Sequence, residues 1–403
     1  MTPSPDEVAS EAIEYEPISV KDLLIETKDT SELLIDLAYS AVLHNSQDVA
    51  NEVIELERKM DVLQMRSRMS LLLASRNPKE AEQLAPVLGM VSGAEKISDA
   101  AGDIAKVVLE ELGLPPEIRT ALPEAVETVA RGTLAEDSSY ADRTLEDIDL
   151  ESETGVRVIA IRRGDEWIMN PGPETRLEAE DVAILRGPLD ALSEVHRTMT
   201  GDPYEVSEVT DEQPFDHLDR AVDSIVLMKD LSELAVDLAY TSVLLDSTEL
   251  AEEVHHLEVE VDALRSRFEA WVLQAAAEMD DPVRLRGLLH IGLATEIISD
   301  AAIEISEGIL RDIEVHPVTQ AAVQESDELM VHVRVGADSE LVGTDISEGV
   351  LDELPAISVL AVRRPDEGWL LMADSSTTIR PGDVIIGKGT ASNVEELESL
   401  TSQ

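Results

Sequence analysis

The chain repeats itself at long range, and that limits its fold more than its composition does. Ser31-Glu-Leu-Leu-Ile-Asp-Leu-Ala-Tyr39 recurs as Ser232-Glu-Leu-Ala-Val-Asp-Leu-Ala-Tyr240, an offset of 201 residues. Ser98-Asp-Ala-Ala101 recurs as Ser299-Asp-Ala-Ala302, and Ile161-Arg-Arg163 as Val362-Arg-Arg364. Between residues 31 and 63, 17 of 33 positions are identical to 232–264, so the chain is a tandem duplication. Each copy must then fold into the same kind of unit, and every position can be checked against its counterpart.

Each copy changes period once. The first part is helical. Leu33, Leu37, Val42 and Leu43 open an apolar helix, and Val49, Val53, Leu56, Met60 and Leu63 keep helical spacing in a second. Ser46 and Ser247 stand where that second helix needs a cap. Asn77-Pro78 and Asp281-Pro282 read as cap and first-turn proline of a third helix. Ile97, Ala101, Ile104 and Val108 line its apolar face, and Gly113, Pro115 and Pro116 stop it. Three such helices make a bundle. The second part has strand signals: Val156–Ile161 and Ile357–Val362, the segments at Trp167 and Trp369, and Asp181–Leu185 and Asp383–Ile386. A short helix follows, at Leu189–Met199 and Val394–Leu400. The expected architecture is mixed, two three-helix bundles alternating with two small α+β lobes. The boundaries are an acidic, disordered tail at 1–16, bundle 1 at 17–118, lobe 1 at 119–200, a linker at 201–215, bundle 2 at 216–315 and lobe 2 at 316–403.

Charge excludes several functions. Asp plus Glu number 85 against 31 Lys plus Arg, a formal net charge of −54. Nucleic acid is excluded, since gripping it requires cations to neutralise phosphates, and an anionic membrane surface is disfavoured. The hydrophobic content of 43% argues against disorder. Many acids, few lysines and no cysteine suit a salt-rich cytoplasm. The acidic start is not a signal peptide, and no run approaches the length of a membrane span, so a cytoplasmic location is expected. Without cysteine there is no disulfide, thiolate metal site or cysteine nucleophile. The eight histidines do not recur between copies, and neither a nucleophile elbow nor a zinc-type spacing appears, so the chain reads as non-enzymatic.

Three groups of residues remain as candidate sites. Glu57 with Asp61, Glu95 with Asp99, Glu258 with Asp262 and Glu296 with Asp300 are carboxylate pairs at i,i+4, each on one helix face. Hard cations need several such oxygens. About 18 such pairs arise by chance at this acid content, so a solvated acidic face is the competing reading. Asp36 and Asp237 each interrupt an apolar run as its one acid, and such a group either pairs with an Arg or helix end or joins the carboxylate cluster. Arg162-Arg163 and Arg363-Arg364 end equivalent strands. Their donor forks suit phosphate or carboxylate ligands, or neutralise neighbouring acids, as Arg364 with Asp366.

The helical blocks resemble the PhoU-like bundle family. Glu95-Lys-Ile-Ser-Asp99 and Glu296-Ile-Ile-Ser-Asp300 match its Glu/Asp-x-x-x-Asp motif, as do Glu57–Asp61 and Glu258–Asp262 one helix earlier. The α+β lobes look like the C-terminal lobe of potassium-conductance regulators, the RCK or TrkA C-terminal domain. Asp338–Ile346, Val359–Arg364 and Ile379–Ile386 carry this likeness. In lobe 1, Asp142 replaces Gly343 and Glu180 replaces Gly382, which puts its turns and any ligand site in question. The resemblance implies a regulator of cation transport, potassium above all, that senses a small effector such as a nucleotide and acts on a separate membrane transporter or channel. It would sit at the inner membrane face through that partner, as a homo-oligomer or internal pseudo-dimer. A divalent or iron-type metal in the bundles is the cofactor it implies. The alternative is a phosphate-signalling or metal-binding regulator. A complete conductance regulator also has a Rossmann lobe, and Gly387-Lys-Gly389 lacks that lobe's third glycine, so no NAD site is expected.

Overall fold

A computed structural model of the chain describes residues 19–115, 128–204 and 216–401, apart from positions 76 and 165 and short stretches between 312 and 399. Bundle 1 consists of α1 (Val20–His44), α2 (Gln47–Ala74), the short α3 (Pro78–Gln83) and α4 (Ala85–Leu109). Local chemistry sets these ends. Asn45 closes α1 in the left-handed region at φ 49°, and Ser46 Oγ accepts from the Val49 amide to open α2. Asn77 accepts from the Lys79 and Glu80 amides, with Pro78 in the first turn. That cap starts only the six-residue α3; the long third helix begins afresh at Ala85, a correction to the expected start. Bundle 2 repeats the plan with α8 (Asp216–Leu245), α9 (Thr248–Glu278), a 3-10 turn at Pro282–Leu285 and α10 (Arg286–Leu310).

The bundles share one hydrophobic core. α4 and α10 run antiparallel across the middle of the molecule. Gly93 faces Ala301 and Ile305, Gly308 faces Pro86, and Lys96 reaches Glu304 at 2.5 Å. Tyr39 and Tyr240 lie buried at this junction. The Tyr39 hydroxyl bonds Thr295 at 2.7 Å, while Tyr240 bonds Ser31 at 2.8 Å. Thr295 corresponds to Ala94 in the first copy, so Tyr240 finds another partner. The halves thus form an internal pseudo-dimer with a two-fold-like interface.

Lobe 1 contains β1 (Thr128–Thr133), α5 (Leu145–Ile148), α6 (Leu150–Thr154), β2 (Arg157–Arg163), β3 (Glu166–Met169), β4 (Val182–Gly187) and α7 (Leu189–Thr200). Its antiparallel sheet has the order β1-β4-β2-β3. Lobe 2 has β5 (Leu329–Arg334), β6 (Asp345–Ser347), β7 (Val350–Leu351), β8 (Leu354–Arg364), β9 (Gly368–Leu371), β10 (Ser376–Thr378) and β11 (Val384–Gly389). The order β5-β11-β8-β9 repeats lobe 1, and β7, β6 and β10 extend the sheet beyond β8. The first strand of each sheet carried no clear sequence signal and was not expected. The expected helix at Val394–Leu400 falls largely outside the described residues, as do the tail 1–16 and most of the linker.

A bulge recurs at Ile159 and Leu360, where pairing skips one residue. It turns Val158 and Ile161 into the lobe's own core while Ala160 joins the bundle core. Each sheet is therefore covered on one face by bundle helices, through Ala160 and Ile184 or Ala361 and Ile386. The turns of lobe 1 survive the loss of glycine: Asp142 and Glu180 hold φ 61° and 71° where Gly343 and Gly382 hold 90° and 89°.

Candidate functional site

Glu52 lies on the apolar stripe of α2, between Val49 and Leu56, and its side chain is 4% exposed. A carboxylate buried there needs cationic partners. They come from the sheet. Arg162 on β2 donates Nε to Oε2 and Nη2 to Oε1, both at 2.6 Å, and Arg131 on β1 donates Nε to Oε1 at 2.9 Å. Burial alone would push the Glu52 carboxyl up; the hydrogen bonds and charges of the two guanidinium groups overcome this and hold it below the usual range.

The second copy repeats the joint with one exchange. Glu253 on α9 accepts from Arg363 Nη2 on β8 at 2.5 Å, and His332 on β5, in the place of Arg131, stands with Nε2 at 3.3 Å. Against burial, His332 and Arg363 hold Glu253 at a pKa of about 2. Glu52 and Glu253 stand outside the candidate residues named from the sequence. Their signal was an acid at helical spacing inside an apolar stripe (Val49, Glu52, Val53, Leu56; Leu250, Glu253, Val254, Leu257), twice at the same offset.

The paired arginines therefore do not project into an open site. Arg162 and Arg363 face the bundles. Arg163 and Arg364 turn to the opposite face, where each clasps a buried aspartate at the start of the last strand: Arg163 with Asp181 at 2.8 Å and Arg364 with Asp383 at 2.9–3.0 Å. The partner of Arg364 is thus Asp383; Asp366 lies outside the described residues. Asp36 pairs with Arg186 of β4, adding a second bundle–lobe ion pair. Asp237 lies within electrostatic reach of Lys28 in the other bundle.

The carboxylate pairs of α2 and α4 do turn toward one another. Burial raises the carboxyl pKa of Glu57, Asp61 and Asp99, and repulsion among them and with Glu95 raises it further. Glu258, Glu296 and Asp300 are raised in the same way, with Asp262 among the repelling charges. Glu95 is partly neutralised by Arg68 at 2.9 Å, and Glu296 by Arg265. Glu57 nests on the bare backbone of Gly102, where a Cβ would stand 2.4 Å from Oε2. As placed, no three acidic or histidine side chains among the described residues are gathered closely enough to hold a metal ion.

Comparison with known proteins follows the same division of the chain. The PhoU domain model matches residues 24–108 and 225–309, and the TrkA-C domain model matches 129–200 and 330–402. A search of curated proteins gives no match. Among solved structures, the crystal structure of the GsuK RCK domain is similar at 13% identity and a TM-score of 0.17, covering 80% of this chain and 79% of that one. The GsuK channel bound to NAD is similar at 10% identity and a TM-score of 0.19, over 78% of this chain and 65% of the other. No helix among the described residues is long and apolar enough to cross a membrane.

Proposed function

The chain belongs to the proteins that combine PhoU and TrkA-C domains, two of each in strict alternation, and from that premise we propose that it regulates potassium transport by a separate membrane channel or transporter. The observation that carries this reading is the joint. Each TrkA-C sheet packs one face against the core of a PhoU bundle and is fastened there by a buried glutamate, so a displaced lobe must disturb the bundle. An effector that prefers one lobe position would shift the population of bundle states offered to the transporter. The protein would act without chemistry of its own.

A small anionic effector, a nucleotide included, is the ligand class that Arg162, Arg163, Arg363 and Arg364 would take. It would have to compete with Glu52, Asp181, Glu253 or Asp383. The test is to capture the full chain on native membranes at high salt and to measure potassium flux in vesicles carrying the captured transporter. Flux that changes on adding the chain supports the reading; capture of no cation transporter, or unchanged flux, overturns it.

A second role would require the acidic stripes to draw closer than they stand, since no three of their side chains are gathered to hold an ion among the described residues. The grooves at Glu57, Asp61, Glu95 and Asp99, and at Glu258, Asp262, Glu296 and Asp300, would take a divalent or iron-type cation. Their mutual repulsion is the free energy such a cation would relieve.

A further inference from the structure

The two joints stand at equivalent places and are not equally closed. In the first, Glu52 receives three hydrogen bonds from two permanent cations. In the second, Arg363 Nε and Glu253 Oε2 are buried without a hydrogen-bond partner among the described residues, and His256 Nδ1 stands 3.5 Å from that oxygen. The neighbouring ties differ too. Ser40 Oγ of α1 donates to the Val129 carbonyl of β1 at 2.8 Å, whereas its counterpart Thr241 bonds back to Asp237 in its own helix. Asn170 of lobe 1 reaches Asp29 of α1 at 2.8 Å, and the aligned residue in the second copy is Met372, which has no amide to donate.

We propose that His332 makes the second joint a proton-controlled latch, closed when its imidazole is protonated and slackened when it is neutral, while Arg131 keeps the first joint shut. Histidine changes charge between about pH 5 and 8, and arginine does not. With His332 charged, Glu253 meets two cations, as Glu52 does. With His332 neutral, Arg363 alone balances a buried carboxylate, and through an incomplete fork. Of the groups around His332, the Glu253 carboxylate favours the charged imidazole and the Arg363 guanidinium opposes it. α9 brings Glu253 and His256, and β8 brings Arg363. Ile386 of β11 is the register partner of His332, and Arg334 is exposed farther along β5. α8, packed along β5, has Asp237 as its one charged residue between Leu234 and Leu245. Such a latch would work the same whichever transporter the chain serves. It makes lobe 2 the moving lobe and lobe 1 the platform.

Hydrogen exchange on the full chain, at constant salt and corrected for intrinsic rates, tests it. Between about pH 6 and pH 8.5, protection in Leu329–Arg334 and Leu354–Arg364 should fall about tenfold, the worth of one charge-assisted hydrogen bond. Thr128–Thr133 and Arg157–Arg163 should not change. His332→Arg should flatten the lobe 2 profile, Arg131→His should carry the pH dependence into lobe 1, and His256→Gln should leave the wild-type profile in place. Equal behaviour of both lobes in the wild type overturns the latch. So does a pH dependence that survives His332→Arg or vanishes in His256→Gln. Should Arg131→His fail to fold, the wild-type and His332→Arg profiles decide the matter alone.

Discussion

Arg162 meets Glu52 fork to fork, with two parallel hydrogen bonds of 2.6 Å, while Arg363 reaches Glu253 through one nitrogen. The complete fork has more to lose. Glu52→Ala leaves two guanidinium groups at a buried site and should cost about 3–5 kcal/mol in urea unfolding. Glu253→Ala should cost about half as much, because its own oxygen and the Arg363 Nε are already unsatisfied. Equal losses at the two positions would contradict the difference between the joints.

Within the carboxylate range, below the pH at which histidine is already charged, acid should act on the joints and the grooves with opposite sign. The folded pKa of Glu253 is about 2 against an ordinary 4.5. Its stabilisation is present above the ordinary value and disappears as the pH falls toward 2. Glu57, Asp61, Asp99 and Asp300 are shifted up, so they destabilise the fold at neutral pH and cease to do so as they protonate. Without divalent cations, Asp99→Asn should raise the melting temperature at pH 7 and have little effect at pH 4. A lowered melting temperature at pH 7 would show that the groove is not strained by repulsion.

If the grooves take a cation, Asp99→Asn and Asp300→Asn should each lower the manganese bound in equilibrium dialysis by the share of one groove. Equal binding by wild type and double mutant would leave the acids as a solvated face.

Asp142 and Glu180 occupy left-handed turns that glycine holds in the second copy. Such a conformation costs a residue with a side chain about 1 kcal/mol or more, part of which glycine returns through the greater freedom of its unfolded chain. Asp142→Gly and Glu180→Gly should each stabilise lobe 1 by about 0.5–1 kcal/mol in chemical denaturation. The same exchange at an ordinary loop position of lobe 1 should destabilise.

The formal charge of −54 should make the fold salt-dependent. At 1 M salt the screening length is about 3 Å, against about 10 Å at 0.1 M. The melting temperature should rise steeply with potassium chloride over that range. A flat profile would remove the case for a salt-rich origin.

The sequence by itself determined the duplication, the change from helical to strand period within each copy, and the caps at Ser46, Ser247 and Asn77. Each of these is written within a few residues or repeated whole at one offset. It also marked Arg162 and Arg363 as unusual, and the Glu57–Asp61 and Glu95–Asp99 stripes as sharing a helix face. Only the tertiary structure decided what those residues meet. Glu52 is one acid among 85, and its partner Arg162 lies 110 residues on, as Arg363 does from Glu253. No local propensity carries that pairing. It exists because the repeated bulge turns one sheet face onto the bundle, where a carboxylate in an apolar stripe can be buried only if cations come with it.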